Sequence, residues 1–184
     1  MRQQGATLIQ LMSGLVLMGL LTVIGIPSYT LMSLELQQRT AAHDLAQALR
    51  IARSHAVLQN RVVVVKALQE DWGAGWRILL EQEQQSLREK RHARPLVIVG
   101  NQPVARQVRF NGLGLPFPAR GGVQNGTLHV CGHEGDSRYR VVVAPSGRVS
   151  LREGAQVHAG CAGLASAPPI RSASAPAAPW ASRT

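Results

Sequence analysis

The feature that most constrains this chain is a long N-terminal stretch without charge. No Asp, Glu, Lys or Arg occurs from Gln3 to Leu34, and the segment from Ala6 to Ile26 is almost continuously apolar. At about 1.5 Å per residue, a helix of this length spans the hydrocarbon core of a bilayer. The sequence therefore predicts a membrane-spanning segment over residues 6–27, and Arg2 on its short side predicts a cytoplasmic N-terminus.

The ends of this apolar run differ from those of a secretory signal, which finishes in a small-x-small cleavage site. Here the run ends in Gly-Ile-Pro, and the small residue Gly5 precedes it instead. We therefore expect the apolar helix to remain on the mature protein. Hydropathy alone favours an uncleaved anchor that carries a domain on the far side of the membrane.

Helical spacing of apolar residues continues beyond the membrane segment. Because neither Gly nor Pro occurs between Ser28 and Asn60, a single helix is predicted from Thr7 to Leu58, with Asn60 as its stop. Residues 28–60 then form the half of the helix outside the membrane. The apolar positions recur at helical spacing and are Leu31, Leu34, Ala41, Ala42, Leu45, Ala46, Ala48, Leu49, Ala52 and Ala56.

Short segments rich in β-branched residues follow the helix. They predict strands at residues 61–68, 76–80, 96–99, 107–110, 127–130, 139–143 and 148–151. A turn at Pro145-Ser146-Gly147 is expected to join the last two strands as a hairpin. A helix followed by such strands indicates an α+β fold, in which residues 61–161 form a small antiparallel β-sheet domain packed on the long N-terminal helix. The tail at 162–184, rich in Ala, Ser and Pro, is predicted to be disordered.

The chain has two cysteines, Cys131 and Cys161, both in the predicted domain. A disulfide is expected if that compartment is oxidising, and closing a loop of about 30 residues would stabilise the fold by roughly 3–4 kcal/mol. The alternative is a pair of free thiols. Together with His129, His133 and His158, the cysteines match no known metal-ligand spacing, so no metal is expected. No cofactor site and no catalytic constellation is evident, and enzyme activity is not expected.

The leader region carries a motif. Residues Gly5 to Met12, Gly-Ala-Thr-Leu-Ile-Gln-Leu-Met, resemble the cleavage and methylation motif of type IV prepilins, usually Gly-Phe-Thr-Leu-Ile-Glu-Leu-Met. The resemblance implies that a prepilin peptidase removes the leader at residues 1–5 by cutting after Gly5, and methylates the amine of Ala6. Pro27 matches the helix proline of that family, where a missing backbone donor kinks or opens the helix.

This motif departs from the family pattern at Ala6, where prepilins usually carry phenylalanine; processing is still expected, because the glycine before the cut is the stricter requirement. It also departs at Gln10, where prepilins usually carry glutamate. In the family that carboxylate neutralises the N-terminal ammonium of a neighbouring subunit inside the membrane. Gln10 can accept a hydrogen bond but cannot cancel a charge, and a buried unpaired charge is costly. The departure at Gln10 predicts a minor subunit, near a filament tip where no subunit lies ahead. Assembly would then depend on Gln10 and Pro27.

Four motifs, one near the end of the predicted helix and three in the predicted domain, resemble the GspH and FimT group of pilin-like proteins. In chain order they are Ala52–Ala56, Asp71–Trp76, Phe110–Gly114 and Pro145–Val149. The resemblance implies a minor pseudopilin of the type II secretion system, serving protein secretion across the outer membrane, or a minor pilin of a type IV pilus. Its partners would be other pilin-like subunits and inner-membrane lipid, with the domain in the periplasm.

The formal net charge of +10 leaves another function open. It would suit an acidic partner such as DNA, or it is simply a solvated basic surface. Some FimT-type minor pilins take up DNA through a Gly-Arg-x-Arg motif, which the segment from Gly147 to Arg152 resembles with its second arginine displaced by two. Arg148 and Arg152 share a strand face, and Arg138 and Arg140 on the preceding strand could join them. A plain anchored periplasmic domain without a filament role is the third possibility.

Overall fold

The computed structural model describes residues 8–83, 86–94, 96–118, 122, 124–132 and 135–162, without side chains for 22–31. It begins with a single helix, α1 (Leu8–Gln59), that continues through position 27. A short C-terminal helix, α2 (Ala159–Ala162), follows eight strands. These strands are β1 (Val63–Leu68), β2 (Asp71–Leu80), β3 (Ser86–Arg91), β4 (Ile98–Gly100), β5 (Gln107–Phe110), β6 (Gly126–Cys131), β7 (Asp136–Val143) and β8 (Val149–Val157).

The strands form two antiparallel sheets of four. One has the order β3-β2-β1-β5 and the other β4-β6-β7-β8. The predicted α+β class is confirmed, but the strands divide between two sheets where a single sheet was expected. Strand β3 was not predicted, because its sequence Ser-Leu-Arg-Glu-Lys-Arg lacks the β-branched residues of the other strands.

The core lies between both sheets and the second half of α1. Leu45 and Leu49 are fully buried there. Trp72 and Trp76 of β2 belong to the same core. Burying a leucine side chain of this size contributes about 1.5–3 kcal/mol. The buried face of α1 therefore confirms the helical spacing read from the sequence; its described core members are Ala41, Ala42, Leu45, Ala46, Ala48, Leu49, Ala52 and Ala56.

The C-terminus of α1 is closed by the predicted stop residue. Asn60 has a φ of 49°. Its N–H donates to the carbonyl of Val57 at 3.3 Å, and the N–H of Arg61 donates to the carbonyl of Ala56 at 3.2 Å. These two bonds form a Schellman motif, in which a left-handed residue satisfies the last carbonyls of a helix. The chain can then leave the helix and enter β1 after three residues.

Three of the sequence motifs meet at one junction beside α1. Arg53 donates from Nε to the carbonyl of Gly114 at 3.1 Å and from Nη2 to the carbonyl of Ser146 at 3.5 Å. Gly147, with a φ of 79°, turns the β7–β8 hairpin against the carbonyl of Gly114, where a Cβ would overlap that oxygen. The hairpin predicted at Pro145-Ser146-Gly147 is confirmed by the bond from the Gly147 N–H to the Ala144 carbonyl, 2.9 Å long.

The fourth motif, Asp71–Trp76, connects the two sheets. The indole N–H of Trp72 donates to the carbonyls of Val104 and Ala105, at 3.1 and 2.9 Å. Gly73 lies so close to the carbonyl of Leu96, just before β4, that a Cβ would overlap it. Glycine is therefore required at position 73 because the two backbones approach closely. Tryptophan is favoured at position 72 because its buried indole N–H has hydrogen-bond acceptors there.

The Arg53 junction predicts a specific loss of stability. Arg53→Ala is expected to lower the free energy of unfolding by ~1–3 kcal/mol, because the part-buried carbonyl of Gly114 and the exposed carbonyl of Ser146 lose a charged donor. Arg39→Ala, the same change at an exposed position of α1, is expected to stay within about 0.5 kcal/mol of wild type. Denaturation followed by tryptophan fluorescence measures both; equal losses would show that the junction does not stabilise the fold.

Candidate assembly helix and basic strand face

The first described part of α1 is exposed to solvent, and the residues from Leu8 to Leu21 are here called the bare start of α1. Every residue from Leu8 to Leu21 is exposed, and several are large apolar side chains, with Leu8 at 79% and Leu21 at 70% exposure. A soluble monomer rarely exposes so large a contiguous apolar surface, which marks a membrane or protein interface. Within this stretch nothing lies within 4 Å of a Cβ placed on Gly14 or Gly19, so both leave room for close helix approach.

None of the helices, over the part of the chain that the structure describes, is both long and apolar enough to cross a membrane. The membrane segment predicted at 6–27 falls partly outside those residues. The cleavage site at Gly5 and Ala6 and the side chain of Pro27 also lie outside them, as does the predicted tail beyond Ala162. These assignments stay predictions.

Gln10 lies in the exposed apolar stretch. Its main-chain carbonyl accepts a hydrogen bond from the Ser13 hydroxyl at 2.9 Å. The described first turn of α1 contains no acidic residue. No acidic residue precedes Glu35 in the sequence, so this part of α1 carries no carboxylate side chain.

The basic residues singled out from the sequence are only partly brought together. Arg140 of β7 and Arg152 of β8 are direct partners in the strand register. Residues paired in this way share a face, with Cβ atoms about 4.5–5.5 Å apart. Arg148 and Ser150 continue this face by strand alternation, and Arg148 is exposed. Arg140 also donates to the Gln156 side chain.

Arg138 lies apart from that group. The pairing of β7 with β8 shifts register between Ser137 and Tyr139. Arg138 sits at this irregularity, and its guanidinium contacts Glu35 of α1 at 3.3 Å and Asp136 at 3.6 Å. A bulge redirects a side chain, which strand alternation read from sequence does not anticipate.

The segment from His158 to Ala162, here called the C-terminal strap, lies over the second sheet. Cys161 forms a disulfide with Cys131, the last residue of β6. The imidazole of His158 stacks on that of His129, with ring centroids 3.8 Å apart. Since the two thiols are bonded to each other, they offer no thiolate to a metal. No group of three metal-ligating side chains occurs within the described residues, and His133 lies outside them.

His129 is enclosed beneath the strap. Its Nδ1 lies 2.9 Å from the hydroxyl of the fully buried Ser137. Burial, together with the neighbouring His158 and Arg140, lowers the pKa of His129 to about 4. The folded state therefore holds this imidazole neutral.

Strand β3 was not predicted from the sequence, and neither was a role for its basic residues. Arg88, Lys90 and His92 alternate along the chain, a period-2 pattern of bases that could have indicated a strand with one charged face. Lys90 reaches Asp44 of α1 at 3.2 Å.

The fold and the bare start of α1 define the class of protein. A long helix, exposed at its start and packed at its end on antiparallel sheets, is the architecture of a pilin-like subunit. A solved structure of the type IV minor pilin FimU from Pseudomonas aeruginosa is similar, with 25% identity, 66% of this chain and 94% of that chain covered, and a TM-score of 0.55. In a second crystal form FimU matches at 24% identity over 64% of this chain and 96% of that chain, with a TM-score of 0.51, which shows the fold alone.

The sequence comparison identifies the family. The family described as Type II transport protein GspH matches residues 41–147, and the chain belongs to it. No curated protein sequence gives a match. Together these findings place the chain among the GspH/FimT-like type IV minor pseudopilins, whose family and fold are those of structural subunits that assemble with other pilin-like subunits.

The half-buried His129 predicts acid sensitivity of the fold. Its folded-state pKa of about 4 lies below the ordinary 6.5. As the pH falls below about 6.5 the unfolded chain takes up a proton that the folded chain excludes, so stability should be lost between about pH 6.5 and 4. His129→Gln should flatten the pH dependence of the unfolding midpoint in this window.

The control for that measurement is His55→Gln, a change at a half-buried histidine of α1 away from the strap. It is expected to leave the pH dependence as in wild type. If His129→Gln leaves the profile unchanged, the enclosed imidazole is not the group that titrates.

Proposed function

We propose that this chain is a minor subunit of a type II secretion pseudopilus or of a type IV pilus, processed by a prepilin peptidase after Gly5 and methylated at Ala6. The bare apolar start of α1 carries the proposal. Residues 6–27 would hold the subunit in the inner membrane as a single pass, with the N-terminus cytoplasmic and the domain periplasmic. On assembly the same surface would pack against helices of neighbouring subunits.

Gln10 supports a minor position in the filament. A methylated N-terminus is a cation, and inside the membrane it requires a carboxylate from a neighbour. The described first turn of α1 supplies none, and Glu35 is the first acidic residue of the sequence. A subunit lacking this carboxylate pairs poorly with the subunit ahead of it, and is best placed at the end of a filament.

Sheared filaments test this proposal. Mass spectrometry should find the chain without residues 1–5 and with one added methyl group, at a ratio to the major subunit well below one. Gln10→Glu restores the carboxylate and should raise that ratio several-fold, since each unpaired buried charge costs on the order of several kcal/mol.

Gly5→Leu is the control for processing, because the cut requires a small residue before it. This variant should keep its leader and be missing from filaments. An unprocessed wild-type chain in cells with active peptidase would contradict the proposal and favour a plain anchored domain. An unchanged ratio for Gln10→Glu would remove the role of this residue.

We propose DNA binding as a second function, carried by the register pair Arg140 and Arg152. Like charges directly opposite on two strands are unfavourable unless an anion lies between them. Arg148 extends the same face, whereas Arg138 is engaged by Glu35 and Asp136. The strand face formed by Arg140, Arg148 and Arg152 is suited to phosphates and has no element that could read base edges. Binding would therefore be independent of the DNA sequence.

A gel shift with the full chain in neutral detergent tests this function. Wild type should retard duplex DNA at low salt, and Arg152→Ala should weaken binding and reduce the slope of log affinity against log salt by about one. Lys66→Ala, an exposed base on the first sheet, should have no such effect. The absence of a shift at low salt, or equal weakening by Lys66→Ala, would exclude it.

A further inference from the structure

Strand β3 is an edge strand of the first sheet, and a row of its basic side chains lies on the side of the sheet that faces α1. It pairs with β2, which leaves its other edge without a strand partner in the described structure. Lys90 is opposite Trp76 and Arg88 is opposite Ile78 in the register. Because Trp76 and Ile78 are buried in the core under α1, both bases lie on the helix side of the sheet.

The row continues past the end of β3. The ring of His92 packs edge-on against Trp76, with centroids 5.0 Å apart. Burial lowers the pKa of His92, and Lys90 lowers it further, while Asp44 and Asp71 act in the opposite direction. Arg94 follows two residues later and lines the same space.

Between this row and α1 runs an open groove of about 470 Å³. Leu36, Ala41 and Leu96 supply its apolar lining. A smaller depression, which shares Asp44 and Lys90 with it, continues the groove along α1 toward Arg88. This volume is within the range of about 300–1,000 Å³ that is typical of ligand-binding clefts in proteins.

The charge in the groove is not balanced. Asp44 is the one carboxylate among its described lining residues, and it contacts Lys90. No described carboxylate lies within ion-pair distance of Arg88 or Arg94. The groove therefore fits a partner that brings its own carboxylates.

A second copy of this chain cannot supply them. With a formal net charge of +10, two copies repel each other. Of the acidic residues that the structure describes, all but Asp71 already lie within 4.0 Å of a base. Asp71 instead accepts the N–H of Gly73 at 2.8 Å.

We propose that the groove between β3 and α1 binds an extended acidic segment of a different subunit, which adds to the free edge of β3. The unpaired N–H and C=O groups of an edge strand are a template for another strand. Bases at every second position face the same side, so carboxylates at every second position of an added strand would pair with them. The assignment of the partner as a subunit rests on the proposed assembly function.

A short synthetic peptide in which glutamate and threonine alternate tests the groove directly. With the full chain in neutral detergent, fluorescence anisotropy should show binding that weakens with salt, and a peptide with lysine in place of glutamate should not bind. Arg88→Glu should weaken binding by about fivefold to tenfold, because one attractive cross-strand pair becomes repulsive. Lys66→Glu, which changes the net charge equally on the outer face, should bind as wild type.

Three outcomes would overturn the inference: no binding of the glutamate peptide, equal binding of the lysine peptide, or equal weakening by Lys66→Glu. Near-ultraviolet circular dichroism checks that Arg88→Glu is folded, and Arg88→Gln replaces it if it is not, with a smaller loss expected. The peptide assay does not depend on processing or filament formation, so failure of the groove is distinguishable from failure of the assembly function.

Discussion

The whole structure depends on one helix face, the alanine- and leucine-rich side of α1 that lies under both sheets. Small residues such as Ala42 and Ala46 let the sheets approach the helix backbone, while Leu45 and Leu49 fill the space between them. Each sheet alone would expose one apolar face, and the helix covers both at once. The remaining surfaces, including the bare start of α1 and the basic edge at β3, are positioned by this packing.

Much of this architecture could be predicted from sequence, because helix periodicity and turn chemistry are local signals. The buried positions of α1, its end at Asn60 and the hairpin at Pro145-Ser146-Gly147 all follow from residue type and spacing. Each is confirmed by a contact that involves only near neighbours or one face of one element.

What could not be predicted depends on tertiary context. β3 is an edge strand held by pairing with β2, and its charged sequence has low strand propensity, so the alternation of its bases is the local signal that could have indicated it. The register shift beside Arg138 turns that side chain toward Glu35, although alternation in sequence assigns it to the face of Arg140. The short helix α2 owes its place to the bond between Cys131 and Cys161, a long-range constraint that the sequence could state only as a default.

The hydrogen bonds from α1 to the β7–β8 hairpin and to the loop after β5 have a mechanical consequence. Arg50 donates to the carbonyl of Val149, and Arg53 to those of Gly114 and Ser146. They join the far end of a helix about 78 Å long to the domain. A force applied along the axis at the N-terminal end acts as a shear force, which is resisted by these bonds and by the buried helix face together. A domain held in this way moves together with its helix when the helix is pulled along its own axis.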